Sequence, residues 1–310
     1  MTAPVLDDFL LRLAPAPPVP VAQELLGART SIRAALSALR EVPDSALERV
    51  WHWRGGELDV RYGFYRQYEE IEDTRARINA LVAPAHASET PARPLVASAT
   101  AARWDLHGVL AGLDDADLDR DPGNGEWTLR QTLAHIVSGQ RAYGWFTYWW
   151  LSQRDRPLDD FPARVPDDVE MGFPEEETEG LGTLAEIQGR LDDILDLGAG
   201  VFAPLGAEDL AVRARWSGLA VDVRFRLVRW SSHIREHTIQ VEKTLAFIGR
   251  LVTEVDRLLW LIAAAYGRLE EDLLMLPADD GKAAEALALA KSAAERVASD
   301  AQTVVEAARA

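Results

Sequence analysis

The sequence contains no cysteine, and this absence excludes several chemistries at once. A chain without thiols forms no disulfides, has no cysteine nucleophile and builds no zinc–sulfur site. Any metal site must therefore rest on histidine, aspartate and glutamate side chains. Lysine is also scarce, because only three lysines stand beside 30 arginines, and the acidic residues outnumber both to give a net charge of −17.

Basic runs and long apolar runs are missing as well. Phosphate neutralisation requires basic patches, so the net charge of −17 argues against nucleic-acid binding, and an anionic bilayer surface would repel the chain. No apolar stretch approaches the length of a membrane span, and the first eight residues lack the positive segment of a secretory signal. We therefore expect a cytoplasmic protein with no nucleic-acid or membrane partner, and a homodimer is an open alternative to a monomer.

What the chain does have is helical periodicity, because its apolar residues recur at intervals of three and four rather than two. Thr128 and Gln131 fit a capping box at one helix start, and Asp222 is placed to cap another helix. The pattern predicts an all-α protein of eight helices with no convincing strand, over residues 22–42, 60–83, 99–113, 128–152, 183–204, 222–250, 252–276 and 282–309.

Residues 154–182 interrupt this pattern with four prolines and ten acidic residues. A charge run of this kind is usually a solvated connection. Loops longer than about 12–15 residues are often functional, so a lid over a site is the alternative.

An internal similarity organises the helices into two groups. The segment Trp53-Arg-Gly-Gly-Glu-Leu-Asp-Val-Arg-Tyr62 matches Trp216-Ser-Gly-Leu-Ala-Val-Asp-Val-Arg-Phe225 without a gap. A weaker overlay places Lys291 on His135. The two matches predict one four-helix bundle over 95–250 and a second, degenerate bundle that the N- and C-terminal helix pairs form as a circularly permuted repeat. That second bundle comprises 1–83 and 251–310, and the proline-rich segment 84–94 is the predicted linker.

Three histidines are the candidate site. His233 and His237 are four residues apart, so their imidazoles lie one above the other on a helix and can reach one ion. Six histidines would give this spacing by chance in roughly one chain of this length in ten, so the pair alone is a weak signal. His135 adds weight, because Gln131, Thr132, Ser138 and Gly139 surround it where a packed core would place leucine or isoleucine. Three nitrogen ligands would leave coordination positions open to water or substrate, as in catalytic sites.

Other polar residues are candidates for supporting roles. Metal-bound imidazoles usually donate their second N–H to an oxygen, so Gln131 and Gln240 are candidate partners. Arg229, one turn before His233, could pair with a substrate carboxylate, although an arginine at a bundle rim more often pairs with the acidic surface. The aromatic residues of 143–150 are expected mainly in the core, and part of them could wall a pocket.

The second bundle has no such triad under the same overlay. Lys291 falls on His135, Glu69 or Glu70 on His233, and Asp73 or Thr74 on His237. We therefore expect this bundle to supply surface, stability or an oligomer interface. A simple solvated acidic face is the alternative for Glu69, Glu70, Glu72 and Asp73.

With these residues in view, the chain resembles the DinB-like superfamily of metal-binding four-helix bundles, which includes mycothiol-dependent maleylpyruvate isomerase and bacillithiol transferases. The resemblance rests on Gly125-Glu-Trp-Thr-Leu-Arg-Gln-Thr-Leu-Ala-His135-Ile and on His233-Ile-Arg-Glu-His237. It implies an up-down-down-up bundle in which His135, His233 and His237 bind a divalent ion, most often zinc or nickel. The acidic connection and the second bundle depart from the family pattern.

The resemblance also implies a reaction class. A bound divalent ion would activate a thiol or water toward a small-molecule substrate, and the implied activity is thiol transfer or isomerisation with a low-molecular-weight thiol of the mycothiol type as cosubstrate. Metal-dependent hydrolysis without a thiol is the variant within the same fold. A non-catalytic bundle, used for metal binding or dimerisation, is the alternative of a different class.

Overall fold

Long helices make up most of the structure, a computed structural model that describes residues 21–82, 90–170, 172–276 and 281–310. The helices are α1 (Gln23–Leu39), α2 (Val60–Val82), α3 (Arg93–Leu110), α4 (Leu129–Ser152), α5 (Asp167–Glu170), α6 (Glu176–Glu179), α7 (Leu184–Phe202), α8 (Ala207–Leu210), α9 (Val223–Phe247), α10 (Glu254–Leu274) and α11 (Gly281–Arg309). The described residues also form four short strands, β1 (Val50–Trp53), β2 (Gly56–Asp59), β3 (Arg213–Trp216) and β4 (Leu219–Asp222).

The predicted helical fold is confirmed, and so are the two predicted caps. The Thr128 hydroxyl accepts a hydrogen bond from the backbone N–H of Gln131 at 3.2 Å, and Gln131 Oε1 accepts one from the backbone N–H of Thr128 at 2.9 Å. Asp222 Oδ1 accepts from the backbone N–H of Phe225 at 2.8 Å. These bonds satisfy donors that the first helical turn leaves unpaired, and they fix where α4 and α9 begin.

The prediction that the chain has no strand was wrong. Strands β1 and β2 form one antiparallel hairpin, and β3 and β4 form another. Each turn has positive φ at both central residues, Arg54 and Gly55 in the first and Ser217 and Gly218 in the second, as a type I′ turn requires. Four-residue strands are too short to show a two-residue period, so periodicity alone could not reveal them.

The hairpins follow the internal similarity closely. Val50 and Val60 begin β1 and α2, and the positions that match them in the second copy, Arg213 and Val223, begin β3 and α9. The weaker overlay is less regular. Helix α11 already begins at Gly281, whereas α4 begins four residues after Gly125, which has a positive φ.

Helix α3 begins six residues before its predicted start at 99, inside the segment predicted as a linker. Its second residue is Pro94, and proline is tolerated in the first turn because those backbone N–H groups have no helical partner. The earlier proline cluster at 14–20 and residues 84–89 of the predicted linker lie outside the described residues. In the ranges that are described, no helix is long and apolar enough to cross a membrane.

The chain divides into two compact units. The histidine unit contains residues 90–99 and Asp114–Ile248, and the flanking unit contains residues 21–82, Thr100–Leu113, 249–276 and 281–310. The predicted bundle of 95–250 differs from this division, because residues 100–113 cluster with the flanking unit. Trp104 explains the difference, since it is fully buried and its ring packs edge-on against Tyr266 at a centroid distance of 4.6 Å.

In the histidine unit, α4, α7 and α9 pack through buried aliphatic side chains. A Cβ added at Gly198 of α7 would lie 1.9 Å from the Trp230 ring of α9, so only glycine permits this approach. Buried core positions on these helices include Leu129, Leu133, Ile136, Val137, Ile187, Leu191, Leu195, Leu227, Ile234 and Val241. This rigid packing fixes the separation of α4 and α9, the two helices that carry the histidines.

In the flanking unit, α1, α2, α10 and α11 share a single apolar core. A charge also lies within it: Glu270 is fully buried, and both Arg29 and Arg103 pair with its carboxylate. The Trp104 indole N–H donates to Glu270 Oε2 at 3.1 Å. The buried carboxylate is thus neutralised and hydrogen-bonded, as a charge in a core must be.

Candidate metal centre

His135 of α4 and His233 and His237 of α9 converge at one point of the histidine unit. Their ring centroids lie 5.3 Å apart for His135 and His233, 4.6 Å for His135 and His237, and 4.4 Å for His233 and His237. One nitrogen from each ring lies within 4.8 Å of the other two. Elsewhere in the described ranges, no group of three histidine or acidic side chains is arranged in this way.

Each imidazole also has a hydrogen-bond partner at its Nδ1 atom. His135 Nδ1 lies 3.0 Å from Glu176 Oε2, and His237 Nδ1 lies 2.7 Å from Gln240 Oε1. His233 Nδ1 lies 3.1 Å from the side-chain amide of Gln140. Because all three Nδ1 atoms are engaged in this way, the three Nε2 atoms are the ones available to a ligand.

The Gln140 amide gives a test of whether these residues fit a metal. Its Oε1 atom is buried without a hydrogen-bond partner, while its nitrogen faces His233 Nδ1. With the amide flipped so that its oxygen and nitrogen exchange places, Oε1 would accept a hydrogen bond from His233 Nδ1–H, and the unsatisfied oxygen would gain its partner. All three Nδ1–H groups would then donate to oxygen, which leaves the Nε2 lone pairs free as metal ligation requires.

The protonation state of His233 and His237 also fits metal binding. The pKa of His233 is lowered to about 3, mainly by burial and then by the neighbouring His237, His135 and Arg229. Burial is also the main cause that lowers the pKa of His237. Both rings are therefore neutral at pH 7, and neutral imidazole is the form that binds metals.

Gly139 allows the three rings to approach. A Cβ at this position would lie 2.4 Å from His233 Cε1, so the ring occupies the space that a side chain would need. The sequence indicated a roomy helix face around His135. The structure shows that the room next to Gly139 is filled by the His233 ring.

The donor set fits a divalent ion. Three neutral imidazole nitrogens suit zinc, nickel and similar metals, and three ligands leave coordination positions for a small molecule. The imidazole partners Glu176, Gln140 and Gln240 supply the outer hydrogen bonds that orient such ligands. The side chain of His135 is 30% exposed, whereas His233 is only 6% exposed, so the site opens on the His135 side.

A cavity of about 590 Å³ adjoins the triad, a size within the range of small-molecule sites. The residues Tyr143, Phe146 and Trp150 of α4 form one part of its wall. The β3–β4 hairpin contributes Trp216, whose indole N–H donates to the Tyr143 hydroxyl at 2.9 Å. Part of the aromatic cluster thus walls a pocket, and the hairpin that the sequence did not reveal supplies the facing wall.

The other predicted site residues take different places. Gln240 contacts His237, as described above. Gln131 is used in the capping box with Thr128 and does not contact a histidine among the described hydrogen bonds. Arg229 lines the cavity, donates to the Tyr143 hydroxyl at 3.3 Å and pairs with Glu236 at 3.0 Å. Arg229 therefore lies in the cavity wall, where a substrate could reach it, and is also paired with an acidic residue.

Sequence reasoning missed two of the imidazole partners. Gln140 is fully buried on α4, and a polar residue on the apolar side of a helix was a signal that could have found it. Glu176 lies in the acidic connection, one of three consecutive glutamates, and nothing in the sequence distinguishes it from its neighbours. Only the folded connection brings it to His135, 41 positions away.

The corresponding positions of the flanking unit hold different chemistry. When the ungapped match of Trp53–Tyr62 with Trp216–Phe225 is extended, Glu70 aligns with His233 and Thr74 aligns with His237. Glu70 pairs with Arg296 at 2.7 Å, and Thr74 is buried. The neighbouring acids are paired too, Glu69 with Arg66 and Glu72 with Arg268, so this face consists of ion pairs rather than of solvated acids alone.

Comparison with known proteins gives one family match. The model of the DinB superfamily matches residues 98–241. No curated protein and no solved structure matches the chain. The matched segment contains α4, α7 and the second hairpin, together with most of α9. Residues 98–241, the part of the chain that carries all three histidines, therefore belong to the DinB superfamily.

Proposed function

We propose that this protein is a metal-dependent enzyme whose divalent ion, zinc or nickel, is bound by His135, His233 and His237. The observation that carries the proposal is the pairing of every Nδ1 atom, which leaves three Nε2 atoms available in a cluster where one nitrogen of each ring lies within 4.8 Å of the other two. Membership of residues 98–241 in the DinB superfamily supports it. A purely structural histidine cluster would need neither three oriented rings nor an adjoining cavity.

The reaction that we propose is transfer of a low-molecular-weight thiol of the mycothiol type to a small molecule, or a thiol-assisted isomerisation. A bound divalent ion supplies Lewis acidity that brings the pKa of a thiol or water toward neutrality. The residues of the chain orient the three imidazoles, and burial keeps His233 and His237 neutral. The aromatic wall of Tyr143, Phe146 and Trp216 excludes water from one side of the site.

Metal-dependent hydrolysis in the same site is the second candidate. It is favoured by the partial exposure of the His135 side chain, which lets water contact this ring. The two candidates differ in one measurable property, because thiol transfer and thiol-assisted isomerisation require a thiol and hydrolysis does not. The cavity favours both enzymes over a non-catalytic bundle, since a dimerisation module needs no cavity beside its histidines.

The flanking unit, on this proposal, is a degenerate copy of the catalytic one. The matching order of hairpin and helix in the two units supports an ancestral duplication. The replacement of the histidine positions by Glu70 and Thr74 supports the loss of the metal site from that copy. Its remaining roles would be stability or assembly, for example as a homodimer interface.

Metal binding is tested by loading chelator-stripped protein with Zn²⁺ or Ni²⁺ and measuring bound metal by equilibrium dialysis. The wild-type chain is expected to bind one ion, and His233→Ala to bind it at least about 100-fold more weakly, because a ligand is lost. His52→Ala is the matched control, since His52 is exposed on β1 outside the site. Full occupancy in His233→Ala would overturn the proposed site.

The reaction class is tested on the loaded protein with a low-molecular-weight thiol and an electrophilic small molecule. Thiol consumption that requires metal and is lost in His233→Ala supports transfer. Metal-dependent product formation that requires the thiol without consuming it supports isomerisation, and product formation in the absence of any thiol supports hydrolysis instead. One bound metal with none of these activities, over a broad panel of electrophiles and esters, would favour the non-catalytic alternative.

A further inference from the structure

Arg226 of α9 is a buried positive charge in the wall of the cavity. The residue is only 3% exposed, and burial lowers the pKa of its guanidinium to about 10. No carboxylate among the described residues pairs with it. Arg29 and Arg141, which are equally buried, have Glu270 and Glu179 as ionic partners at 2.6 Å.

Within the described ranges, the hydrogen bonds of Arg226 go only to neutral oxygens. Nε donates to the Thr147 hydroxyl at 2.9 Å, Nη1 to the Arg215 carbonyl at 3.0 Å and Nη2 to the Ala142 carbonyl at 3.5 Å. A guanidinium has five N–H groups, so one on each Nη atom is left over by these three bonds. Two N–H groups on adjacent nitrogens match the two oxygens of a carboxylate.

Among the described side chains, the charges around the cavity leave an excess of positive charge inside it. Arg229 is neutralised by Glu236 at 3.0 Å. Arg215, which also lines the cavity, has no carboxylate partner among the described residues, and its Nε atom is buried without a hydrogen-bond acceptor. A buried charge without a counter-charge costs several kcal/mol, so its presence in a chain of net charge −17 requires a reason.

We infer that this cavity binds a small molecule through a carboxylate held by Arg226, and that the other end of the molecule reaches the histidine triad. Arg226 and His233 are seven residues apart on one helix, which corresponds to about 10 Å along its axis. The Tyr143 ring spans this interval, 5.6 Å from the Arg226 guanidinium and 5.3 Å from the His233 ring. An aromatic or apolar middle portion would pack on it.

The inference deepens the proposed function, because the reacting end of the molecule depends on the proposed metal site. The carboxylate site itself depends on Arg226, with the charge of Arg215 in the same cavity, and needs no metal. The competing explanation is structural, because Arg226 ties the β3–β4 hairpin to α4 through Arg215 and Thr147. A structural arginine would have no preference for a charged ligand. The preference for an acid over its uncharged amide therefore separates the two roles.

The test compares 4-phenylbutanoate with 4-phenylbutanamide by isothermal titration of the full chain in the presence of a chelator. Without metal, a carboxylate cannot bind to the ion, so the result is independent of the proposed metal site. The acid is expected to bind at least about tenfold more tightly than the amide. Equal affinities in the wild-type protein, or binding of neither probe, would overturn the inference.

Variants then assign the preference to Arg226. In Arg226→Gln the acid-to-amide ratio is expected to fall to about one with the amide affinity little changed, and in Arg226→Lys it is expected to survive in part. Arg224→Gln, on the exposed face of the same helix, removes the same charge and is expected to keep the full ratio. Retention of the ratio in Arg226→Gln would overturn the inference. Should that variant fail to fold, Arg215→Gln replaces it, with a reduced ratio expected and an unchanged one counting against the site.

Discussion

The His233 ring lies against the backbone of Gly139, and this single contact sets how closely α4 and α9 can bring their histidines together. His135 and Gly139 are four residues apart, so the ring of one and the bare backbone of the other occupy the same helix face. The hydrogen-bond partners at Nδ1 then fix the orientation of the rings. At the residue scale, the site therefore depends on the glycine at position 139 as well as on the three imidazoles.

Gly139→Ala is therefore expected to weaken metal binding by about 10–100-fold, because the new methyl group would displace the His233 ring. Gly144→Ala is the matched control on the same helix, where the nearest atom would be 4.0 Å from the added Cβ. Replacing a helical glycine without a clash should stabilise α4 by about 0.5–1 kcal/mol. Equilibrium dialysis measures the metal affinity of both variants, and thermal unfolding measures their stability. Equal metal affinities of the two variants would contradict the prediction.

At the scale of elements, the acidic connection between α4 and α7 is more than a solvated loop. Glu179 of α6 is buried and pairs with Arg141 of α4 at 2.6 Å, with both side chains 3% exposed. Val165 lies in a small core with Trp149 and Trp150. These contacts hold the connection against the bundle and thereby place Glu176 beside His135.

We expect Glu176→Ala to weaken metal binding about tenfold, because His135 would lose the acceptor that orients its ring. This loss of affinity lies at the low end of the roughly 10–100-fold that is typical for removing such a partner, since the His135–Glu176 pair is partly exposed. Glu177→Ala removes the same charge from an exposed neighbour and should leave the affinity unchanged. A similar loss in both variants would mean that the general acidity of the segment matters, rather than the contact with His135.

The pair of helices α2 and α11 in the flanking unit gives a pH-dependent prediction. Burial raises the pKa of Asp300, and Glu70 adds to the rise, while Arg66, Arg54 and Arg296 oppose it. Since the folded state holds this proton more tightly than the unfolded chain, the ionised form costs stability above the folded pKa. That cost disappears as pH falls below the unfolded value near 3.8.

Asp300→Asn should therefore be more stable than the wild type at pH 7, by about 0.5 kcal/mol or less because the group is partly exposed and screened. The difference should vanish by about pH 3.5. Denaturant unfolding at both pH values measures it. A variant that is less stable at pH 7 would show that Asp300 is held by its arginine neighbours instead.

At the scale of the whole molecule, the two units should respond differently to metal. Binding to the folded form stabilises it by about 2.7 kcal/mol when the metal concentration is 100 times its dissociation constant. The ligands all lie in the histidine unit, so the stabilisation belongs there. Hydrogen exchange should slow in peptides of α4 and α9 on addition of Zn²⁺ and stay unchanged in peptides of α10 and α11. Equal protection of all four helices would contradict this.

Much of the fold could be predicted because it depends on local rules. Helical periodicity placed the eight long helices, and the Thr128 and Asp222 caps are confirmed to the residue. The His233–His237 spacing follows from the helix itself. The two hairpins were not predicted, because strands of four residues are too short to show a period. The predicted linker of 84–94 extends into a helix, because Pro94 is compatible with a first helical turn.

The sequence by itself determined which residues lie on which helix face, and so it determined the candidate ligands. The tertiary structure decided what surrounds them: Glu176 and Gln140 at the imidazoles, the hairpin wall of the cavity, and the absence of a carboxylate partner for Arg226 in the described part of the chain. The reason is physical. Spacing within a helix is fixed by 3.6 residues per turn, whereas contacts between residues 41 or 93 positions apart depend on how the helices and the connection pack.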